Sequence, residues 1–243
     1  MKIIKLNATG STNSYLKDLV RQTNIENGTV VVADFQTNGR GQNDNKWISD
    51  KGKNLIFSVL VRFESLKIED QFYLNYVVSI AIHTVLKKYI SEKLTVKWPN
   101  DIMSGNQKIC GILIESTINK SNVKNAIIGV GLNVNQDVFP DEAAKATSLK
   151  KILNTFIDKD KLFDEILIEI QYQLISIKKQ EFKKIKSDYE VILYKMGIPS
   201  MFIDANSCQF LGKITGTSLT GNIKIELENE TVKEFGIKEV RFA

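Results

Sequence analysis

Short apolar runs of strand length alternate with stretches of helical spacing through most of the chain. The apolar runs predict strands at residues 1–6, 30–33, 55–61, 95–98, 108–115 and 126–135. Apolar residues three and four apart predict helices that begin near residue 12 and that cover 71–90 and 160–179, the last continuing as a basic run to 186. After Gly197 the pattern changes to short strand-like pieces separated by glycines. We therefore predict an α+β fold, with a mixed β-sheet and packed helices over 1–195 and a small β domain over 196–243.

The composition is that of an ordinary folded protein. Hydrophobic residues make up 43% and charged residues 25% of the 243 positions, which suffices for one sizeable core and a small second domain. No apolar run approaches the roughly 20 residues that span a bilayer, and the first residues lack the apolar stretch of a signal peptide, so we expect a cytoplasmic protein without membrane contact. Cys110 and Cys208 form no Cys-x-x-Cys pair, and we expect both to be buried.

The distribution of charge adds a hint about partners. The net charge is +5, but residues from Met196 onward carry five basic and six acidic side chains, so the excess of +6 belongs to residues 1–195. This favours an anionic ligand or an acidic protein partner. Nucleic acid, or a lysine-rich surface that binds nothing, stays open on charge alone.

The polar stretch from Asp34 to Trp47 is the first candidate for a site. Gly39 and Gly41 bracket Arg40, so the backbone can approach an anion while the guanidinium closes over it. The same stretch also fits an exposed connection that carries one arginine. Ser11, Thr12 and Asn13 leave a similar choice, because their polar groups can cap a helix or bind a polar ligand at its N-terminus.

Polar residues recur at the ends of the apolar strands, and their types indicate a chemistry. These residues are Gln36, Arg40, Lys97, Asn100, Asp101, Lys108 and Asn133. A pair of base and nucleophile is missing from the sequence pattern: His83 is the only histidine and falls within a predicted helix, where we expect no catalytic role. Cations and amides without a nucleophile can instead hold a carboxylate against an α-phosphate, as in carboxylate activation by ATP.

Glycines two apart in the last predicted strand of the larger domain raise the question of a dinucleotide site. Gly129 and Gly131 are followed by Val134 in place of a third glycine, and no helix follows directly, so we reject a Rossmann fingerprint. Such glycines allow close approach of a ligand or of another segment.

Five motifs occur in the order and spacing of biotin–protein ligases. They are Ser11-Thr12-Asn13, the glycine-arginine-glycine loop ending at Trp47, KWPND from Lys97 to Asp101, KICGILIE from Lys108 to Glu115, and GVGLNVN from Gly129 to Asn135. The chain thus resembles that family over nearly its whole length. The resemblance implies a mixed α+β catalytic domain followed by an SH3-like β-barrel. It also implies ATP-dependent biotinylation of one lysine on a biotin carboxyl carrier protein through biotinyl-5′-adenylate.

The resemblance also implies roles for particular residues. Biotin would contact Ser11, Thr12, Asn13, Gln36, Gly39, Arg40, Gly41, Gln42, Lys108 and Gly111. ATP would contact Arg40, Trp47, Lys97, Asn100, Lys108 and Asn133, with Mg²⁺ carried by ATP near Asn133. Lys108 and Arg40 would be the catalytic cations, and Asp101 would help to deprotonate the acceptor lysine. Family members often form homodimers, so a homodimer is expected as an option.

The chain departs from the family loop Gly-Arg-Gly-Arg-x-Gly-Arg-x-Trp at three positions. Gln42 and Asn45 replace arginines and Asp44 replaces a glycine, which predicts weaker retention of the adenylate. A lipoate–protein ligase is disfavoured because an Arg-Arg-x-Ser-Gly-Gly-Gly stretch is missing. A biotin-sensing repressor is disfavoured because the first motif begins at Ser11, so we expect no DNA binding. A ligand-binding protein without catalysis stays open because of the altered loop.

Overall fold

The computed structural model describes residues 1–42, 45–90 and 93–243, and these form twelve strands and five α-helices. The strands are β1 Ile3–Leu6, β2 Val30–Ala33, β3 Leu55–Lys67, β4 Leu94–Lys97, β5 Asp101–Ser104, β6 Gln107–Asn119, β7 Asn122–Leu132, β8 Ser200–Asp204, β9 Gln209–Thr217, β10 Ile223–Leu227, β11 Val232–Phe235 and β12 Val240–Phe242. The helices are α1 Thr12–Gln22, α2 Tyr73–Leu86, α3 Leu149–Leu153, α4 Lys159–Lys178 and α5 Phe182–Val191. No helix in this part of the chain is long and apolar enough to cross a membrane.

The larger sheet is mixed and lies between helices. Its described strands follow the order β1-β2-β3-β7-β6-β5-β4, in which β1 and β2 are parallel and the other neighbours are antiparallel. Helices α2 and α4 pack against each other and against one face, and α1 packs against the other. The predicted α+β class is confirmed.

The alternation of side chains along the central strands decides what each face contains. On β3, Phe57 and Val59 belong to the large core under α2 and α4, whereas Leu60 packs against α1. Ser58 lies on the α1 face because successive strand residues point to opposite sides. It pairs with Gly129 of β7, so this face carries small and polar residues at the centre of the sheet.

The second sheet is antiparallel, has the order β11-β10-β9-β8-β12 over the described chain, and fits the expected SH3-like barrel. It is tied to the larger sheet by hydrogen bonds. The indole Nε1 of Trp98 donates to the carbonyl of Gly221 at 3.0 Å, and Glu190 of α5 accepts from the backbone N of Thr217 at 2.6 Å. The first bond connects the turn between β4 and β5 to the barrel, and the second connects α5 to it.

The predicted helix over 160–179 is confirmed to residue 178, but its predicted continuation to residue 186 is wrong. Helix α4 ends at Lys178, Gln180 adopts a left-handed φ of 56°, and a separate helix begins at Phe182. The basic run therefore belongs largely to α5, where Lys184 and Lys186 pair with acidic residues one turn later. The Lys184 pair is solvated, whereas the Lys186 pair is largely covered because Glu190 also accepts from Thr217.

The two cysteines differ. Cys110 is fully buried as expected, and burial raises the pKa of its thiol, which keeps it neutral. The expectation for Cys208 is wrong, because it is exposed in the turn between β8 and β9, where its backbone N donates to Asp204 Oδ1. His83 is buried in α2 with Nε2 lying 3.2 Å from the carbonyl oxygen of Leu94.

Candidate active site

A cleft with about 450 Å³ of empty space, open solvent included, lies on the α1 face of the larger sheet, beneath the loop that follows β2. Its lining residues, which define the cleft here, are Ser11, Thr12, Asn13, Gln36, Arg40, Gly41, Gln42, Trp47, Ile56, Asn100, Lys108, Gly111, Ile112, Leu113, Gly129, Val130 and Gly131.

The inner end of the cleft is a hydrogen-bonded network of buried polar residues. Thr12 donates to Gln36 Oε1 from its backbone N at 2.7 Å and from its hydroxyl at 3.1 Å. The hydroxyl oxygen of Ser58 lies 2.8 Å from Thr12 Oγ1 and 2.6 Å from Asn13 Oδ1. The Asn13 amide donates to Leu113 O and to a glutamate on β6. The network fixes these side chains before any ligand arrives.

Ser11 occupies the N-cap position of α1. Its side chain makes no capping hydrogen bond, although the residue is buried and lines the cleft. The sequence allowed either capping or ligand binding here. The geometry favours ligand binding, because the hydroxyl does not serve the helix.

The loop over the cleft is closed by backbone pairing. Trp47 N donates to Gly39 O, and Gly41 N donates to Asn45 O. Arg40 reaches across to strand β6, where its Nη2 lies 2.6 Å from Glu115 Oε2. Asp44, one of the three departures from the family loop, lies outside the described residues.

Trp47 lies flat against glycines of the sheet. A Cβ on Gly131 would stand 2.7 Å from Trp47 Cζ2, and a Cβ on Gly111 would stand 3.2 Å from Trp47 Cζ3. These two glycines face each other in the β6–β7 register. The sequence predicted that Gly129 and Gly131 allow a close approach, and in the structure Asn13 approaches Gly129 while Trp47 approaches Gly131.

Lys108 lies at the outer end of the cleft. Its Nζ is 2.7 Å from Asp101 Oδ1 and 5.6 Å from the centre of the Trp47 ring. Its backbone N and O bond to Lys145 and Thr147, so the start of β6 is held against the segment that follows residue 139. The cation is therefore fixed in position by both its backbone and its side chain.

A second opening, the lysine groove, adjoins the cleft and runs between the two sheets. Its charged lining comes from Lys46, Lys97, Asp101, Lys108, Lys238 and Arg241. Burial lowers the pKa of Lys97, and the charges of Lys108, Lys145 and Lys195 lower it further, whereas Asp101 raises it. A crowded cluster of cations with one carboxylate is suited to bind a polyanion.

A third opening, the Asn133 cavity, lies on the other side of Lys108 and Trp47. Asn133 follows β7 and lines it together with Phe139 and residues 141–146. The amide of Asn133 donates to Thr147 O at 3.0 Å, but its Oδ1 is buried without a partner in the described chain. A buried oxygen without a donor is a candidate ligand for a cation or an acceptor for a ligand hydrogen.

The structure brings the sequence-predicted residues to one place. Most of them line the cleft, and Gly39 adjoins it, since a Cβ added to Gly39 would stand 2.8 Å from Gln36 Nε2. Lys97 and Asp101 line the lysine groove, and Asn133 lines the Asn133 cavity. Asn100 donates from Nδ2 to Ile112 O at 2.6 Å, so its amide also holds the turn against β6.

Sequence reasoning missed two polar residues of the site, Ser58 and Glu115, and the segment 139–146. Both residues could have been noticed in the sequence. Ser58 is the one hydroxyl within the apolar run 55–61, and Glu115 is the last residue of the KICGILIE motif. The segment 139–146 had none, because only its pairing with Lys108 places it here.

Comparison with known proteins agrees with this geometry. Residues 6–133 match the family model described as the biotin/lipoate A/B protein ligase family. The chain is 31% identical over 221 residues to the bifunctional ligase/repressor BirA of Bacillus spizizenii, covering 89% of this chain and 65% of that protein. It is 30% identical over 173 residues to the biotin–[acetyl-CoA-carboxylase] ligase of Mycobacterium tuberculosis, covering 69% of this chain and 62% of that protein.

Among solved structures, the biotin protein ligase of Aquifex aeolicus in complex with biotin and ATP superposes with a TM-score of 0.81 at 29% identity, over 100% of this chain and 99% of that one. The chain spans less than two thirds of the length of either curated relative. The α+β fold is shared with the Aquifex aeolicus ligase over the whole chain. The chain belongs to the biotin/lipoate A/B protein ligase family.

Proposed function

We propose that this protein activates biotin with ATP and transfers the biotinyl group to one lysine of a biotin carboxyl carrier protein. The observation that carries the proposal is the position of Lys108, whose side chain lines the cleft, the lysine groove and the Asn133 cavity at their junction. The names of the relatives support biotin as the acid, and the Aquifex aeolicus ligase was solved with biotin and ATP.

In the first step a carboxylate oxygen of biotin attacks the α-phosphorus of ATP, and pyrophosphate leaves. Negative charge accumulates where the two anions meet, and Lys108 and Arg40 lower its energy. The biotin contacts are assigned to Ser11, Thr12, Asn13, Gln36, Gly39, Arg40, Gly41, Gln42, Lys108 and Gly111, and those of ATP to Arg40, Trp47, Lys97, Asn100, Lys108 and Asn133. Gly41 N would first have to leave Asn45 O to bind a ligand.

In the second step the amine of the carrier lysine attacks the acyl carbon, and AMP leaves. The amine must lose a proton, and we assign its acceptance to Asp101, whose Oδ1 lies 2.7 Å from Lys108 Nζ in the lysine groove. The excess positive charge of residues 1–195 suits an acidic carrier domain.

Magnesium accompanies ATP in this chemistry. The described residues contain no cluster of three or more acidic, histidine or cysteine side chains that could hold a metal ion. The unpartnered Oδ1 of Asn133 fits a Mg²⁺ ion that takes most of its ligands from phosphates and water. When bound, Mg²⁺ neutralises phosphate charge.

The remaining assignments follow from the same proposal. Residues 1–195 form the catalytic domain and 196–243 the SH3-like domain, in a cytoplasmic enzyme. The proposal includes a homodimer as one option for the oligomeric state. Sedimentation of the purified protein decides between monomer and homodimer.

Biotin-dependent exchange of pyrophosphate into ATP tests the first step. We expect exchange with biotin and little with lipoate, and no exchange with biotin would overturn the proposal. Incubation with a carrier domain and its Lys→Arg variant tests the second step. Labelling of the wild-type carrier alone is expected, and equal labelling of the two carriers would overturn the assigned acceptor.

A further inference from the structure

Glu115 of β6 connects two parts of the site that the sequence treats as separate. Its Oε2 accepts from Arg40 Nη2 at 2.6 Å and from Asn13 Nδ2 at 2.9 Å, and Lys17 Nζ lies 3.8 Å from its other oxygen. Arg40 belongs to the loop over the cleft, whereas Asn13 belongs to helix α1 at its inner end. One carboxylate thus contacts both.

The connection continues into the buried network. From Asn13 it passes to Ser58 and then to Thr12 and Gln36, each step being a hydrogen bond of 2.6 to 3.1 Å. Four separate segments of the chain contribute to this series. Buried hydrogen bonds of this kind hold their members in one arrangement.

Arg40 needs such a partner because of its position. Backbone hydrogen bonds hold the flanking Gly39 and Gly41, but they do not fix the direction of the long Arg40 side chain. Glu115 occupies one side of the guanidinium, but a guanidinium has five N–H donors and can bind a second anion at the same time. The ion pair therefore holds Arg40 beside the cleft without preventing ligand binding.

We propose that Glu115 is a positioning residue that fixes Arg40 over the cleft and aligns Asn13 below it. The part that concerns adenylate rests on the proposed function. Gln42 and Asn45 carry no charge, and of the loop cations Arg40 and Lys46 only Arg40 lines the cleft. Retention of the adenylate at the cleft therefore depends on Arg40 and hence on Glu115.

The test uses Glu115→Gln in the full-length protein. The amide oxygen can still accept from Asn13, but the charge that holds Arg40 is lost. Without ligand, trypsin should cut the variant after Arg40 up to about fivefold faster than the wild type, because a partly exposed ion pair is lost. We expect adenylate to dissociate faster by a similar factor.

Two controls isolate the effect. Glu226→Gln removes a barrel ion pair, 2.7 Å from Lys213, and should change neither measurement. In an Arg40→Gln background, Glu115→Gln should have no further effect on adenylate dissociation. An added effect there, or an unchanged rate of cleavage and of dissociation in the single variant, would overturn the proposal. Cleavage needs no ligand, so it tests the ion pair even if the wild-type protein forms no adenylate.

Discussion

Replacement of Lys108 by alanine should remove most of the adenylation activity. Lys108 Nζ is fixed 2.7 Å from Asp101, so its charge is already in place when biotin and ATP meet. Loss of one preorganised group that stabilises developing charge costs roughly 3 to 4 kcal/mol in other enzymes, which is about 10²- to 10³-fold in rate. Because the side chain is 36% exposed, we expect the lower end, about 10²-fold in kcat/KM.

Lys108→Ala should change the free energy of unfolding only slightly, and Lys213→Ala is a control variant with a matched ion pair. The Lys108–Asp101 pair is partly exposed and contributes up to about 1 kcal/mol to the free energy of unfolding. Lys213→Ala removes a pair of the same length, 2.7 Å, and similar exposure, 39% against 36% for the lysine. The two variants should therefore unfold at similar denaturant concentrations and differ only in catalysis.

Biotin-dependent exchange of pyrophosphate into ATP is the assay, run over a range of biotin concentrations so that kcat and KM separate. A Lys108→Ala enzyme within tenfold of the wild type in kcat/KM would refute the assigned role. An equal loss in Lys213→Ala would refute it as well, since that lysine lies in the barrel.

Other outcomes test the loop, the cleft, the core and the acceptor surface. Gln42→Arg should slow adenylate dissociation by roughly tenfold through a new charged hydrogen bond, and an unchanged rate contradicts the idea of weak retention. Gly131→Ala should displace the Trp47 ring and lower the affinity for ATP with little change in secondary structure, and unaltered ATP binding would argue against this packing. Burial lowers the pKa of His83, so the unfolded chain binds the proton more readily; the free energy of unfolding should fall below pH about 6.5, and this fall should be smaller in His83→Gln. Raising salt should slow transfer to the carrier more than adenylate synthesis, and equal responses count against electrostatic steering.

Most strands and helices could be predicted from the sequence because their periodicity is local. The apolar run from Leu55 and the helix that contains Tyr73 and Tyr76 appear where the pattern predicts them. The break at Gln180 could not be predicted, because no glycine or proline marks it. The extension of β3 to Lys67 was also missed, because its outer half pairs with the start of β7 and lacks a continuous apolar pattern.

The residue types of the site were visible in the sequence, but their partners were not. Lys108, Arg40 and Asp101 stand out as polar residues at strand ends. That Arg40 pairs with Glu115, 75 positions away, depends on how the loop crosses the sheet. The role of Ser58 likewise depends on which face of β3 meets α1.

The sequence by itself determined the fold class, the motifs and the chemical types available to the site, since these depend on local spacing and composition. The tertiary structure decided how those groups are paired: Trp47 on Gly131, Lys108 with Asp101, and Glu115 between Arg40 and Asn13. Such pairings depend on strand register and on the close approach of distant segments. A pattern along one chain does not contain that information.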